Sequence, residues 1–361
     1  MISLGKSILL PAFTVAEWGG LHENVLAGAQ ALKLAGHEVT LVLRPGTISE
    51  RARDRGLAVI EVDWEDWMPT ASLIREHVEY DLILAQPQKS RELALFVNSH
   101  REKPVFVMFH GYYSDGAYEW RDKVEAFLAV TTSLADFLIN FCKVEPWRVH
   151  VVPNGITSDR FALLPIPLAQ KIKDGTATIV VASRIDADKR SQIEALLRLI
   201  ERIKEVESPL RWRIVVVGDG PERTLAEVSL NTAVTETDNI SVEFTGWKDS
   251  DEVPLLMQEA VFTVGAGRGA LQSLAVGTPC LGAGKHGIVG FQFGRNLRIG
   301  LWSNFGDYPF GKAPIRSLED DFDFLLNEDN YRSVQHAGRT VVESERSQDV
   351  SDALLFSALS M

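Results

Sequence analysis

The sequence predicts two doubly wound α/β domains of Rossmann-like type in one chain. Short apolar runs alternate with amphipathic stretches from end to end. The alternation restarts once, after a proline-containing linker near 162–170 and the polar run KIKDGTA. A length of 361 residues suits two domains, each with room for a core. A βαβα order implies parallel strands covered by helices on both faces.

In the first half, residues 7–12 (SILLPA), 38–43 (EVTLVL), 57–62 (LAVIEV), 81–85 (DLILA) and 104–109 (PVFVMF) read as buried strands. Residues 21–35, 47–55, 70–79 and 89–100 read as the intervening helices, and 126–132 and 148–152 as two closing strands. The second half repeats the scheme with strands at 178–183, 213–218, 241–246, 261–267 and 278–284. Its helices fall near 189–206, 221–231 and 250–259, with one more after 267. The expected domains are 1–163 and 170–330, followed by helices over 331–361.

Composition excludes several function classes. With 37 basic against 49 acidic residues, the net charge of −12 argues against nucleic-acid binding, which needs clustered positive surface. The first 165 residues are acidic as well, with 16 Lys and Arg against 21 Asp and Glu, so membrane contact is expected to be peripheral at most. No run approaches the ~18 apolar residues of a spanning helix. Cys142 and Cys280 stand far apart, outside any zinc or redox spacing, and read as buried thiols. The opening MISLGKSILLPAF reads as a first strand rather than a leader, and the expected location is cytoplasmic. A homo-oligomer is compatible with all of this.

In open α/β sheets, ligands collect at the carboxyl ends of strands, where glycine turns and helix N-termini meet. The cleft between two such sheets is the expected site. Gly19 and Gly20 precede the first helix and either form a turn or admit a ligand to backbone N–H groups. Nothing forms GxGxxG, which disfavours a dehydrogenase-type dinucleotide site. His110 follows the strand PVFVMF and is either structural or a hydrogen-bond partner for a sugar oxygen. Asn154, in VVPNGI (151–156), predicts a tight Pro-Asn-Gly turn beside the linker.

The strongest local signal is SRIDADKR, 183–190. Arg184 at a strand end and Lys189 at a helix start offer a fork and a point charge to a diphosphate. Asp186-Ala187-Asp188 matches a metal-type Asp-x-Asp pattern but reads as turn and capping residues, and no metal is expected. Gly218 ends the next strand in a Gly-Asp-Gly-Pro turn, a good turn by itself and a candidate donor-binding position. Gly267, Arg268 and Gly269 open another helix and suit a phosphate cradle.

Seven motifs in fixed order carry a resemblance: Gly-Gly before a helix, AGHEVTLV, VVPNGI, the Arg184…Lys189 pair, VVVGDGP, FTGW and LxxLAxGTP. Their order resembles the retaining family-4 glycosyltransferases of the GT-B architecture, over residues 1 to about 284. The resemblance implies a nucleotide-sugar donor, a UDP-sugar first among candidates, held by the second domain. It implies a glycan, lipid-linked or small-molecule acceptor on the first, and no cofactor. Arg184 and Lys189 would contact the diphosphate, with Gly20 approaching from the other side. His110 would lie near the sugar, and Gly246 and Trp247 near the base. The family usually carries Glu-x7-Glu where this chain has Val264 and Gln272. Gln272 would then stand at the ribose position without the charge-assisted strength of a carboxylate. That departure leaves open a second function, a degenerate sugar-nucleotide-binding or accessory protein on the same scaffold.

Overall fold

Continuous apolar runs become the inner strands of two parallel sheets. The computed structural model describes residues 5–15, 18–157, 163–206, 208–249, 251–311 and 316–360. They form two units: residues 1–155 with 349–361, and residues 156–348.

In the first unit, seven strands are ordered β3-β2-β1-β4-β5-β6-β7, all parallel. They are β1 Ser7–Pro11, β2 Glu38–Leu43, β3 Ala58–Glu61, β4 Leu82–Ala85, β5 Val105–Phe109, β6 Ala126–Ala129 and β7 Val149–Val151. β4, β5 and β6 are buried along their whole length because helices cover both faces. The helices include Gly20–Leu34 after β1, Lys89–Asn98 after β4 and Thr132–Asn140 after β6. Thr131 caps the last of these, its hydroxyl accepting the Leu134 N–H at 3.2 Å.

The second unit has six strands in the order β10-β9-β8-β11-β12-β13. They are β8 Thr176–Ala182, β9 Arg211–Val217, β10 Ile240–Gly246, β11 Phe262–Gly265, β12 Cys280–Gly284 and β13 Gly287–Phe291. The last strand is a correction to the sequence reading, which ended the sheet at 284. β13 runs antiparallel to β12 across the short Lys285–His286 connection, far too short for a helical crossover. Over Ile240–Phe244, edge strand β10 alternates more covered and exposed residues, as a strand with one solvated side does.

Phe262 is the hub of this unit's core, with the rings of Trp212, Phe291, Phe322 and Tyr331 at centroid distances of 5.1–6.3 Å. Tyr331 brings the helix Glu328–Glu345 into that core and donates its hydroxyl to Val261 O at 2.6 Å. The helix Gln348–Ala358 follows, and its residues from Asp349 onward group with the first unit.

Among the described residues no carboxylate contacts buried Lys171, which donates to Ala260 O (2.8 Å) and Thr278 Oγ1 (2.6 Å). Burial pushes its ammonium down to about 7. It ties the short helix Leu168–Lys171 to the strand starts of the second sheet.

Candidate functional site

Each sheet reverses its winding once, between β1 and β4 in the first unit and between β8 and β11 in the second. The carboxyl ends of strands flanking such a reversal are where open α/β sheets bind ligands.

In the second unit, β8 delivers the loop Ser183–Lys189 to this point. Asp186 caps the short turn there, accepting the Ala187 N–H at 2.8 Å, as the capping reading expects. The loop is anchored by buried Ile185, whose N–H donates to Asp219 O (3.0 Å) and whose carbonyl accepts Glu222 N–H (3.1 Å). Gly218 locks the neighbouring loop to it. At φ +128°, its N–H donates to Gly246 O at 2.8 Å, and a Cβ there would lie 2.0 Å from Ser183 O. Protein packing therefore accounts for Gly218 without any ligand. The Gly220 N–H, followed by Arg223, holds the Asp219 carboxyl below its usual range.

Both cations of the loop are occupied by carboxylates. Arg184 reaches Asp186 (3.0 Å) and Asp188 (3.6 Å), and Lys189 Nζ lies 2.6 Å from Asp307 Oδ1. The Arg184 side chain is 46% exposed and that of Lys189 16%, so the lysine pair is the better shielded. Beneath the loop, a cavity of about 200 Å³ opens between the helices Arg190–Glu205 and Arg223–Val234, lined by Val181, Ile193, Leu197 and Leu225 among others.

From β11 the chain turns directly into the helix Gly267–Ala275. Gly267 adopts φ +53°, and its N–H, one of those expected to cradle a phosphate, already donates to Asn304 O at 3.1 Å. Arg268 and Gly269 follow in the first turn, half-buried, with a Gly269 Cβ position 3.6 Å from Ala182 O at the end of β8. Gln272 sits one turn further on, also half-buried. Gly246 ends β10 at φ +71°, and Trp247 behind it is 64% exposed.

Val264 corrects the register argument. It lies inside β11, paired with Val181 on one side and Leu281 on the other, and is buried in the core. The strand runs straight to Gly265, so position 264 is a packing position and not a loop position from which a carboxylate could reach a ligand.

In the first unit, Gly19 and Gly20 open the helix Gly20–Leu34. Gly19 is extended, and a Cβ on it would meet nothing within 4 Å. Among the described residues, no atom demands a glycine there. Beside it, Trp18 stacks on His22 with ring centroids 5.4 Å apart, and the Arg51 guanidinium lies 3.9 Å above the Trp18 ring. His110 directly follows β5, and desolvation pushes its imidazole down to about 3, so the ring is neutral at physiological pH. Asn154 accepts a hydrogen bond from Asn24 Nδ2 at 2.9 Å, one turn into the same helix. The tight turn expected at Pro153–Gly155 is absent: the segment is irregular, and neither Asn154 nor Gly155 has a positive φ. Asn24 and the buried bond from Ser351 Oγ to Pro153 O (2.7 Å) hold the segment as it leaves β7.

Asn304 and Asp307 were missed by sequence reasoning. Their signal was the Asn-Phe-Gly-Asp cluster at 304–307, a loop composition between two apolar stretches. Among the described residues, no group of three or more His, Cys, Asp or Glu is arranged to hold a metal ion, and no helix is long and apolar enough to cross a membrane.

Two Rossmann-like units with these switch points are the fold of the GT-B glycosyltransferases. Solved structures agree. A glycosyltransferase from Rickettsia africae matches at 16% identity and TM-score 0.72, over 98% of this chain and 99% of that one. Anabaena HepE in complex with UDP matches at 14% and 0.74, over 98% and 99%. Sucrose-phosphate synthase from Thermosynechococcus elongatus matches at 14% and 0.67, over 98% of each chain. The family model for Glycosyltransferase Family 4 matches residues 18–160, and that for Glycosyl transferases group 1 matches residues 176–291. The chain is a GT-B-fold glycosyltransferase related to these families. No curated protein matches its sequence significantly.

Proposed function

We propose that the chain is a retaining glycosyltransferase that moves a sugar from a nucleoside-diphosphate donor, a UDP-sugar first among candidates, to an acceptor hydroxyl in glycan, glycolipid or glycoconjugate synthesis. The observation that carries this reading is the β8/β11 switch point, where Arg184, Lys189 and the start of the helix Gly267–Ala275 come together. In the reaction, the bond from sugar C1 to the β-phosphate oxygen breaks and its electron pair leaves with the diphosphate. Arg184, Lys189, Arg268 and the first-turn amides take up that charge. The acceptor oxygen bonds to C1 on the same face, and its proton passes to the departing phosphate oxygen.

His110, as a neutral imidazole, suits a hydrogen bond to a sugar hydroxyl and not charge stabilisation. Exposed Trp247 suits contact with the base, and Gln272 with the ribose. Gly19 and Gly20 suit a close backbone approach, with Asn154 beside them. The test is a panel of nucleotide sugars assayed for binding by calorimetry and for nucleotide release with hydroxylic acceptors. Binding and release with at least one donor is expected; no binding across the panel defeats the reading.

A second reading has its own observation. Gln272 stands where, by the family-4 resemblance, a carboxylate usually holds the ribose, and an amide lacks that charge. An accessory protein that binds sugar nucleotides without turnover would show affinity in the panel and no release.

A further inference from the structure

We propose that Asp307 is an internal anion standing where a donor phosphate oxygen binds, and that donor binding displaces it from Lys189. The inference rests on the reading of Lys189 and the helix Gly267–Ala275 as the diphosphate end of the site. The carboxylate of Asp307 sits in the kind of donor set that receives phosphates. Its Oδ1 accepts from Lys189 Nζ at 2.6 Å and from the Lys285 N–H at 3.4 Å. Its Oδ2 lies 3.3 Å from where a Gly267 Cβ would stand, at the very start of the helix. In the same loop, Asn304 O takes the Gly267 N–H at 3.1 Å. One short segment thus covers both the cation and the first helix amide.

The segment is held in an uncommon conformation. Asn304, Phe305 and Gly306 follow one another at φ +54°, +59° and +92°, and a bulky residue such as Phe305 rarely adopts that region. Phe305 is buried and anchors the turn. Gly284 and Gly306 let it close on β12: a Cβ on Gly284 would lie 2.3 Å from Asp307 N, and one on Gly306 would lie 2.7 Å from Gly287 O. Tight packing that spends conformational strain to present a carboxylate to a lysine places the charge deliberately. Lys189 is thereby held by a carboxylate until a stronger anion arrives. A diphosphate, with more charge and several acceptor oxygens, can replace one carboxylate where a neutral ligand cannot.

The experiment measures UDP and uridine binding by calorimetry to wild type, Asp307→Asn, Lys189→Ala and the double variant. Circular dichroism and thermal unfolding check that each is folded. Asp307→Asn keeps the side-chain shape and removes the competing charge. UDP affinity is expected to rise by about tenfold, the scale of one charge-assisted contact, with uridine affinity unchanged. The gain is expected to disappear in the Lys189→Ala background. A weaker UDP affinity in Asp307→Asn would overturn the proposal, because Asp307 would then be orienting Lys189 for the ligand. An equal gain for uridine, or a gain that survives Lys189→Ala, would overturn it too. If Lys189→Ala weakens UDP and Asp307→Asn does not strengthen it, the internal anion fails while the diphosphate site stands. If Lys189→Ala leaves UDP affinity unchanged, the diphosphate assignment itself fails.

Discussion

The carboxyl edges of the two sheets are built alike and charged differently. At the second, Arg184 and Lys189 face Asp186, Asp188 and Asp307 in close ion pairs. At the first, Arg91 pairs with Asp115 at 3.2 Å, and the candidate site groups are a neutral His110, Gly19 and the amide of Asn154. One fold therefore supplies one edge suited to exchanging anions and one suited to hydrogen-bonding neutral groups. In the proposed function this is the division between a diphosphate and the hydroxyls of sugar and acceptor.

The largest effect tests where charge is tolerated at the second edge. Val264→Glu would place a carboxylate in the strand core between Val181 and Leu281, and should cost about 3–5 kcal/mol, the scale of an uncompensated buried charge. Denaturant unfolding measures it. The buried carboxyl would have a raised pKa, so the variant should lose stability relative to wild type as pH rises through the carboxylate range. A variant as stable as wild type would show that position 264 can face a ligand after all.

Removing the cations comes next. Lys189→Ala should weaken nucleoside-diphosphate binding by about 1.5–3 kcal/mol, the range for hydrogen bonds to charged groups. Arg184→Ala should cost less, because that side chain is more exposed than Lys189. Equal losses would remove the distinction between the shielded and the open cation.

His110 sharpens the other half of the comparison. His110→Ala should lower turnover far more than diphosphate affinity, and equal losses would take it away from the sugar. Its imidazole should show no titration by NMR between pH 8 and 5, since its pKa falls from 6.5 to about 3. The unfolded chain binds that proton first, so wild type should lose stability relative to His110→Ala as pH drops below about 6.5.

The smallest effect is at Gln272. Gln272→Glu should leave folding intact, because the position is half-buried on a helix flank. It should strengthen binding of a ribonucleoside diphosphate by about fivefold or less, with no gain for the 2′-deoxy form. A gain of equal size with the deoxy nucleotide would take Gln272 away from the ribose.

What the sequence alone determined was the sheet architecture and its loop chemistry. Runs such as VFVMF and TIVVAS cannot be solvated, and their spacing by amphipathic helices leaves a parallel, doubly wound sheet as the economical solution. The Arg184…Lys189 loop was legible because its anchor, cap and cations all lie within seven residues. Tertiary structure decided everything that depends on which distant segments meet. Pro153–Gly155 reads locally as a turn, yet contacts from Asn24 and Ser351 hold it without one. Gly218 reads as a ligand loop, yet Ser183 O and Gly246 O account for it. Asp307 lies 118 residues from Lys189, and no local pattern pairs them. Periodicity and turn chemistry act over a few residues and are written in order along the chain. Packing contacts and ion pairs act through space, and only the fold sets which of them form.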